Sequence, residues 1–216
     1  MSEADANSSP TPRPPRLTGS EPLHSGDGTP LDRSPSTVLD FWAWSSSDLI
    51  GNSLRGVLAE FIVGTAIGCI DTKDTRVEWD TVDLLTSDGI GIEVKSTAYV
   101  QSWGTTTPQS LGFTIRQTRK WDQPTRTYAV ERERHADVYV FCVYKPADND
   151  KADPLNVNDW SFYVVSTPTV NEVFGEQRTL TLSRLRHTAE LDNRIRRCTY
   201  AELKSTVDHC APPSST

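Results

Sequence analysis

Hydrophobic residues in the first half of the chain recur at helical spacing in two segments. The segment "STVLDFWAWSSSDL" opens with a Ser-Thr capping signal, which predicts a short helix that packs through its aromatic residues. In "GNSLRGVLAEFIVGTAIGC" apolar residues lie three and four positions apart, which predicts a long helix. The predicted apolar face of that helix comprises Leu54, Val57, Leu58, Phe61, Ile62 and Thr65.

The rest of the chain mostly alternates apolar and polar positions, which is typical of strands. The segments "RVEWDTVDLLT" and "GIGIEVKSTAYV" predict a hairpin around "SDG", and "LGFTIR", "WSFYVVS" and "RTLTLSRL" predict further strands. A short helix is expected after Pro168 and a closing helix near "TYAELKSTV". The segment "ADVYVFCVYK" is almost continuously apolar, as a central strand covered on both faces would be. The pattern therefore predicts an α/β fold with a central mixed sheet.

The register of the hairpin follows from its apolar residues. A three-residue loop, "SDG", pairs Leu84 with Ile92 and places the apolar residues of both strands on one face. On the other face the same register sets Asp83 directly opposite Glu93, two positions before Lys95. Two neighbouring carboxylates repel each other, so this pairing indicates a cation between them unless solvent screens their charges.

Composition separates the ends of the chain from its body. Residues 1–36 are rich in Ser, Pro, Gly and Thr, with three Leu and no aromatic residue, and they are expected to be a disordered tail. A single domain is predicted over residues 37–210, with a flexible C-terminus at 211–216. No signal peptide or membrane-spanning run is legible, so a cytoplasmic protein is expected.

Charge and cysteine content narrow the class of function only a little. The net charge of −7 gives no general attraction to nucleic acid, although basic stretches occur locally. The four cysteines are dispersed without a C-x-x-C pair, which argues against a zinc site and against a disulfide framework.

A carboxylate on the long helix completes a recognisable set of residues. The neighbours of Glu60 one turn away are small or apolar, so Glu60 is predicted to be buried with no local cationic partner. Together with Asp83 and the "IEVK" segment that carries Glu93 and Lys95, this order resembles the PD-(D/E)xK, or restriction-endonuclease-like, nuclease superfamily. The resemblance implies an αβββαβ core in which helices flank the mixed sheet.

The resemblance also implies a chemistry, the metal-dependent hydrolysis of phosphodiester bonds, with DNA as the expected substrate. Asp83, Glu93 and the main-chain carbonyl of Val94 would bind Mg²⁺ or Mn²⁺, and Glu60 would act through a water molecule or at a second metal ion. Lys95 would orient the attacking water and stabilise charge on the phosphate. A context in phage defence, restriction or repair is expected.

Contacts to nucleic acid are expected from the segments that follow the hairpin. Gln101 is a weak candidate for positioning phosphate, because polar residues after a strand more often serve packing and capping. The best phosphate-contacting segment contains Arg116, Arg119, Lys120 and Trp121, and a solvated loop explains this segment about equally well.

Several alternatives stay open at the level of sequence. Asp80 competes with Asp83 as the metal-binding aspartate, and His135 is expected to be structural because it has no partner at catalytic spacing. A catalytically silent module of the same fold, which binds nucleic acid or a partner protein, is the second candidate function. A third is an α/β domain whose hairpin face is solvated. Since no helix-turn-helix or zinc-finger pattern is legible, specificity is expected to come from loops, from a homodimer or from a partner protein.

Overall fold

The computed structural model describes residues 17–31, 36–71, 75–76, 81–102, 104–105, 111–122 and 127–213, with only the backbone described at 104–105 and 121–122. The helices are α1 (Val38–Ser46), α2 (Asn52–Ile67), α3 (Thr167–Phe174), α4 (Leu182–Leu191) and α5 (Leu203–Cys210). The strands are β1 (Leu84–Leu85), β2 (Gly91–Ala98), β3 (Val100–Gln101), β4 (Gly104–Thr105), β5 (Gly112–Thr114), β6 (Trp121–Asp122), β7 (Thr127–Tyr128), β8 (Val138–Tyr144), β9 (Trp160–Ser166), β10 (Thr179–Thr181) and β11 (Arg196–Cys198).

Five of these strands form the central sheet, in the order β1-β2-β8-β9-β11. The β2–β8 pair is parallel, and the other neighbours in the sheet are antiparallel. Three two-stranded sheets, β10–β5, β3–β4 and β6–β7, accompany it. The predicted fold class, α/β with a central mixed sheet flanked by helices, is confirmed.

The hairpin register is also confirmed. Leu84 pairs with Ile92, and the turn closes through a hydrogen bond of 3.0 Å from the Thr86 N–H to the Ile90 carbonyl. Gly89 has φ of +82°, a left-handed conformation that glycine adopts without the steric cost of a side chain.

Strand β8 shows why the sheet is buried on both faces. Its residues alternate between two apolar cores, with Val138 and Val140 in one and Tyr139 and Phe141 in the other. The first core lies against α2 and α5, whereas the second includes residues of β5, β10, α3 and α4. The interpretation of "ADVYVFCVYK" as a central strand is therefore correct.

The buried face of α2 differs from the predicted one. Val57 and Phe61 are 36% and 54% exposed, whereas the small Ala59 is fully buried and Arg55 is 3% exposed. A side chain at Gly64 would clash with Ile70, so α2 approaches its neighbours through its smallest residues. Apolar residues occur on more than one face of this helix, and close packing selects the face with the small ones.

The segment "RTLTLSRL" is only partly a strand. Strand β10 ends at Thr181, whose side chain accepts a hydrogen bond of 3.3 Å from the Arg184 N–H and thereby caps α4. The predicted strand is therefore correct up to this residue, and a helix replaces the rest of it.

The N-terminal part of the chain forms a contact unit separate from the one that contains the central sheet. Within it, the N–H groups of Leu23 and Val38 donate to the carbonyls of Ser36 and Glu21. Helix α1 forms as predicted and the ring of Trp42 lies against Gly19, but none of the helix residues is buried in the described chain, and Phe41 and Trp44 are mostly exposed. Much of the tail predicted at 1–36 lies outside the described residues, and the predicted boundaries at 36 and 210 stay predictions.

None of the helices that the structure describes has both the length and the hydropathy needed to cross a bilayer.

Candidate active site

The charged residues of the hairpin meet on one face of the sheet. Extending the register of β1 and β2 by one pair sets Asp83 opposite Glu93. The carboxylate Oδ2 of Asp83, the residue just before β1, accepts a hydrogen bond of 2.7 Å from the Val94 N–H. The Nζ atom of Lys95 forms an ion pair with Glu93 and lies 3.8 Å from Asp83 Oδ2. Two carboxylates thus converge on one ammonium group.

Electrostatics distinguish the members of this cluster. Burial raises the pKa of Glu93, and the charge of Asp83 adds to this effect, although Lys95 opposes it. Burial disfavours the charged form of Lys95, but the negative charges of Glu93 and Asp83 outweigh it and raise the pKa of the ammonium group. Lys95 is therefore held in its cationic form, whereas the charge of Glu93 is not fully offset.

The two carboxylates line a small cleft of about 210 Å³, here called the carboxylate cleft. Its other lining residues include Arg116, His135 and Tyr139. Burial, and then the negative charge of Glu93, raise the pKa of Tyr139, so its phenol stays protonated at neutral pH. The cleft therefore gathers acidic, basic and hydroxyl groups around the carboxylate pair.

His135 belongs to this cleft, although the sequence indicated a structural role for it. Its Nδ1 lies 3.3 Å from a carboxylate oxygen of Glu133, and its Nε2 lies 3.1 Å from the Thr118 carbonyl. The sequence carried no signal for its position, because Glu93 and His135 are brought together only when β2 pairs with β8.

A second and larger cleft, of about 620 Å³, begins at Lys95 and is here called the cationic cleft. It is lined by Asn52, Ser53, Arg55, Lys95, Ser96, Thr97, Gln101, Leu111, Gly112 and Thr114. Among these described residues are two cations and no carboxylate. Lys95 thus lines the cationic cleft and, through its ion pair with Glu93, contacts the carboxylate cleft.

Glu60 and Asp80 complete the predicted carboxylates. Glu60 is half-buried on α2, whereas a buried position was predicted. The difference arises because the buried face of the helix is rotated from the predicted one. Its negative charge nevertheless contributes to raising the pKa of Lys95, which places it near the cluster. Asp80, the alternative to Asp83, lies outside the described residues.

The predicted nucleic-acid contacts fall in different places. Gln101 is buried, 6% exposed, in the cationic cleft, and Arg116 lines the carboxylate cleft. Arg119 and Lys120 are exposed and line neither cleft, and the side chain of Trp121 lies outside the described part of the chain. Of the predicted contact residues whose side chains the structure describes, Gln101 and Arg116 line the two clefts and the others do not.

The donor groups of the cluster are of the type that hard cations prefer. Asp83 and Glu93 offer carboxylate oxygens, and Mg²⁺ is commonly held by one or two carboxylates together with water. Within the described ranges no group of three or more His, Cys, Asp or Glu side chains is arranged to enclose a metal ion. The carboxylate pair fits an ion that keeps most of its water ligands, and does not fit one that needs a full cage of side chains.

The fold and this cluster define an α/β protein with two carboxylates and a lysine in a cleft on its central sheet. The chain belongs to the bacteriophage T4 endonuclease IV family, which matches residues 37–184 and so includes every described residue that lines the two clefts. It is therefore a member of a nuclease family. A comparison with curated proteins finds no match.

Proposed function

We propose that this protein is a metal-dependent nuclease of the PD-(D/E)xK type that hydrolyses phosphodiester bonds in DNA. The observation that carries the proposal is the convergence of Asp83 and Glu93 on Lys95 in a chain that belongs to a nuclease family. The order of these residues along the chain, with Asp83 just before β1 and Glu93 and Lys95 on β2, supports the resemblance to that superfamily.

Mg²⁺ or Mn²⁺ would be held by the carboxylates of Asp83 and Glu93. Because the N–H of Val94 is directed toward Asp83, the carbonyl of the same strand residue faces the same edge of β2, which makes it the third oxygen donor. A bound ion of this kind supplies a water of lowered pKa and offsets negative charge on the phosphate. Glu60 would contribute through a water molecule or at a second ion.

Lys95 has the position and the charge state for its proposed role. Its ammonium group stays protonated because the surrounding carboxylates raise its pKa, and it lines the cationic cleft while it pairs with Glu93 of the carboxylate cleft. From there Nζ can donate a hydrogen bond to an attacking water or to a phosphate oxygen, where fixed positive charge stabilises the charge that develops during hydrolysis.

The cationic cleft is the proposed path of the nucleic acid. Its lining of two cations and, in the described chain, no carboxylate contrasts with the net charge of −7 of the whole protein. A phosphodiester backbone is attracted to such a groove by release of its counterions. The cleft meets the carboxylate pair at Lys95, so a backbone that lies in it passes beside the proposed reaction centre.

A cleavage assay tests the proposal directly. Purified full-length protein is incubated with plasmid, linear and single-stranded DNA and with RNA, each in Mg²⁺, Mn²⁺ or EDTA. Cleavage of DNA is expected with either metal and not in EDTA, and it is expected to be lost in Asp83→Asn and retained in Asp88→Asn. Asp88 is a matched control because it is an exposed aspartate in the turn of the same hairpin.

The outcomes of the assay separate the candidate functions. Cleavage that persists in EDTA, or equally in Asp83→Asn, would refute the proposed metal site. Binding of DNA without cleavage under any condition would favour the catalytically silent module. Cleavage of RNA and not of DNA would support the proposed metal-dependent hydrolysis but would contradict DNA as the substrate.

A further inference from the structure

The N-terminus of α2 opens into the cationic cleft. Asn52 and Ser53, the first two residues of this 16-residue helix, both line the cleft. In the described helix the N-cap, Gly51, makes no side-chain capping hydrogen bond, and the first turn contains no acidic residue. The free N–H groups and the partial positive charge of a helix N-terminus favour a bound anion.

Arg55 adds a full positive charge beneath this helix end. Its side chain is 3% exposed, and it donates hydrogen bonds of 2.8 Å to Gln101 Oε1 and 3.0 Å to the Ile50 carbonyl, and another to the Asn52 side chain. Among the described residues its Nε atom has no hydrogen-bond partner, and no carboxylate pairs with its charge. Burial lowers the pKa of Arg55, because the protein does not compensate for the lost hydration.

A buried charge without a counterion is costly, and proteins seldom keep one unless a ligand or a partner offsets it. The carboxylate of Asp48, which precedes α2 in the chain, already has other partners. It accepts hydrogen bonds from the Gly51 N–H and the Ser102 hydroxyl, and it is not among the residues that line the cleft. The N-terminus of α2 and Arg55 therefore both contribute positive charge to the cationic cleft.

We propose that the cationic cleft contains a phosphate-binding subsite formed by the N-terminus of α2 above the charge of Arg55. This inference rests on the proposed function, since it assigns the subsite to a backbone phosphate of the nucleic acid next to the bond cleaved at Lys95. The N–H groups of Asn52 and Ser53 donate to the phosphate, and the buried guanidinium acts as a fixed charge in the floor. Gln101 holds the guanidinium in place through its Oε1 atom.

The variant Gln101→Glu tests this assignment because it places a carboxylate where Arg55 already donates a hydrogen bond. The new carboxylate would cancel the charge of Arg55 while it keeps the contact. Binding of a fluorescein-labelled DNA oligonucleotide, as single strand and as duplex, is followed by fluorescence anisotropy in EDTA at 20 to 200 mM salt. The slope of log K against log[salt] is expected to become shallower by about 1, the value for one phosphate contact.

Gln177→Glu is the matched control, because it makes the same change of net charge at a residue that lines neither cleft. Its salt slope should equal that of the wild type. Equal slopes for Gln101→Glu and Gln177→Glu would overturn the subsite, and so would a wild-type protein that binds neither oligonucleotide at any salt concentration.

A second pair of variants separates charge from fold. Arg55→Lys keeps the charge and Arg55→Met removes it, and both lose the forked hydrogen bonds to Gln101, Ile50 and Asn52. Both are expected to lower the melting temperature, but only Arg55→Met is expected to lose about 1 from the salt slope. If the two variants lose the same amount of slope, the role of Arg55 is structural and the subsite is wrong.

These measurements are independent of cleavage. A protein that cleaves DNA but whose salt slope is insensitive to the charge at Arg55 refutes the subsite and keeps the proposed nuclease. A protein that never cleaves but shows the expected slopes refutes the nuclease and keeps the anion site.

Discussion

The variant Asp83→Asn tests whether Asp83 is a metal ligand or an ordinary residue of the hairpin. The amide oxygen of Asn can still accept the hydrogen bond from the Val94 N–H, so the start of β1 should keep its geometry. The change removes the attraction to Lys95 across 3.8 Å, between side chains that are 28% and 23% exposed, which is about 1 kcal/mol or less. It also relieves the repulsion with Glu93. The melting temperature without metal is therefore expected to change by about 4 °C at most.

The response to metal should change far more. An ion present at 100 times its dissociation constant stabilises the folded state by about 2.7 kcal/mol. For a chain of this size that corresponds to a rise of roughly 5 to 11 °C in the melting temperature. If loss of the Asp83 ligand weakens binding about 100-fold, the same concentration gives about 0.4 kcal/mol, or roughly 1 to 2 °C.

The assay is a thermal shift titration with Mn²⁺ on the wild type, Asp83→Asn and Asp88→Asn. The control removes the same charge from an exposed residue of the turn and should respond like the wild type. An Asp83→Asn protein whose melting temperature rises with Mn²⁺ as much as the wild type would exclude Asp83 as a ligand. Asp80 would then be the aspartate to test.

Two further predictions concern the same hairpin and the helix beside it. Lys95→Ala keeps both carboxylates, so the Mn²⁺ response should persist while the DNA cleavage rate falls at least 100-fold; a variant that cleaves at the wild-type rate contradicts the role of Lys95. Gly89→Ala should cost about 1 to 2 kcal/mol in chemical denaturation, because φ is +82° although no described atom lies within 4 Å of the added methyl group. Gly56→Ala lies in the interior of α2, and its added methyl group is equally free of described neighbours, so it should instead stabilise the fold by about 0.5 to 1 kcal/mol. If both variants lose stability, contacts of the added methyl group rather than backbone conformation determine the effect.

The hairpin could be predicted from the sequence because its information is local. Apolar residues at every second position fix which face of each strand is buried, and a glycine at the end of "SDG" fixes the loop length. Together these two features predict the pairing of Leu84 with Ile92 that the structure has. The juxtaposition of Asp83, Glu93 and Lys95 follows from that register alone. Strand β8 could be predicted for a similar reason, since a continuous apolar run needs cover on both faces.

Features set by contacts distant in sequence could not be predicted. The hydrogen bond of Arg55 to Gln101 joins residues 46 positions apart, so nothing near Arg55 in the sequence marks it as buried. His135 enters the carboxylate cleft through the pairing of β8 with β2. The apolar residues of α2 occur on more than one face, and tight packing at Gly64 rather than hydrophobicity decides which face is buried.

The parallel pairing of β2 with β8 has a consequence for how the protein is made. The carboxylates and Lys95 all belong to a hairpin that can form within about 1 to 10 μs once residue 95 is available. Strand β8 covers the other edge of β2, and this pairing begins with Ile92 and Val138, which are 46 residues apart. At about 5 to 20 residues per second, a ribosome needs roughly 2 to 9 s to synthesise that interval. During those seconds the nascent chain carries the paired acids on a strand whose other edge is uncovered, and the partner of Glu93 in the sheet, Tyr139, is not yet in place.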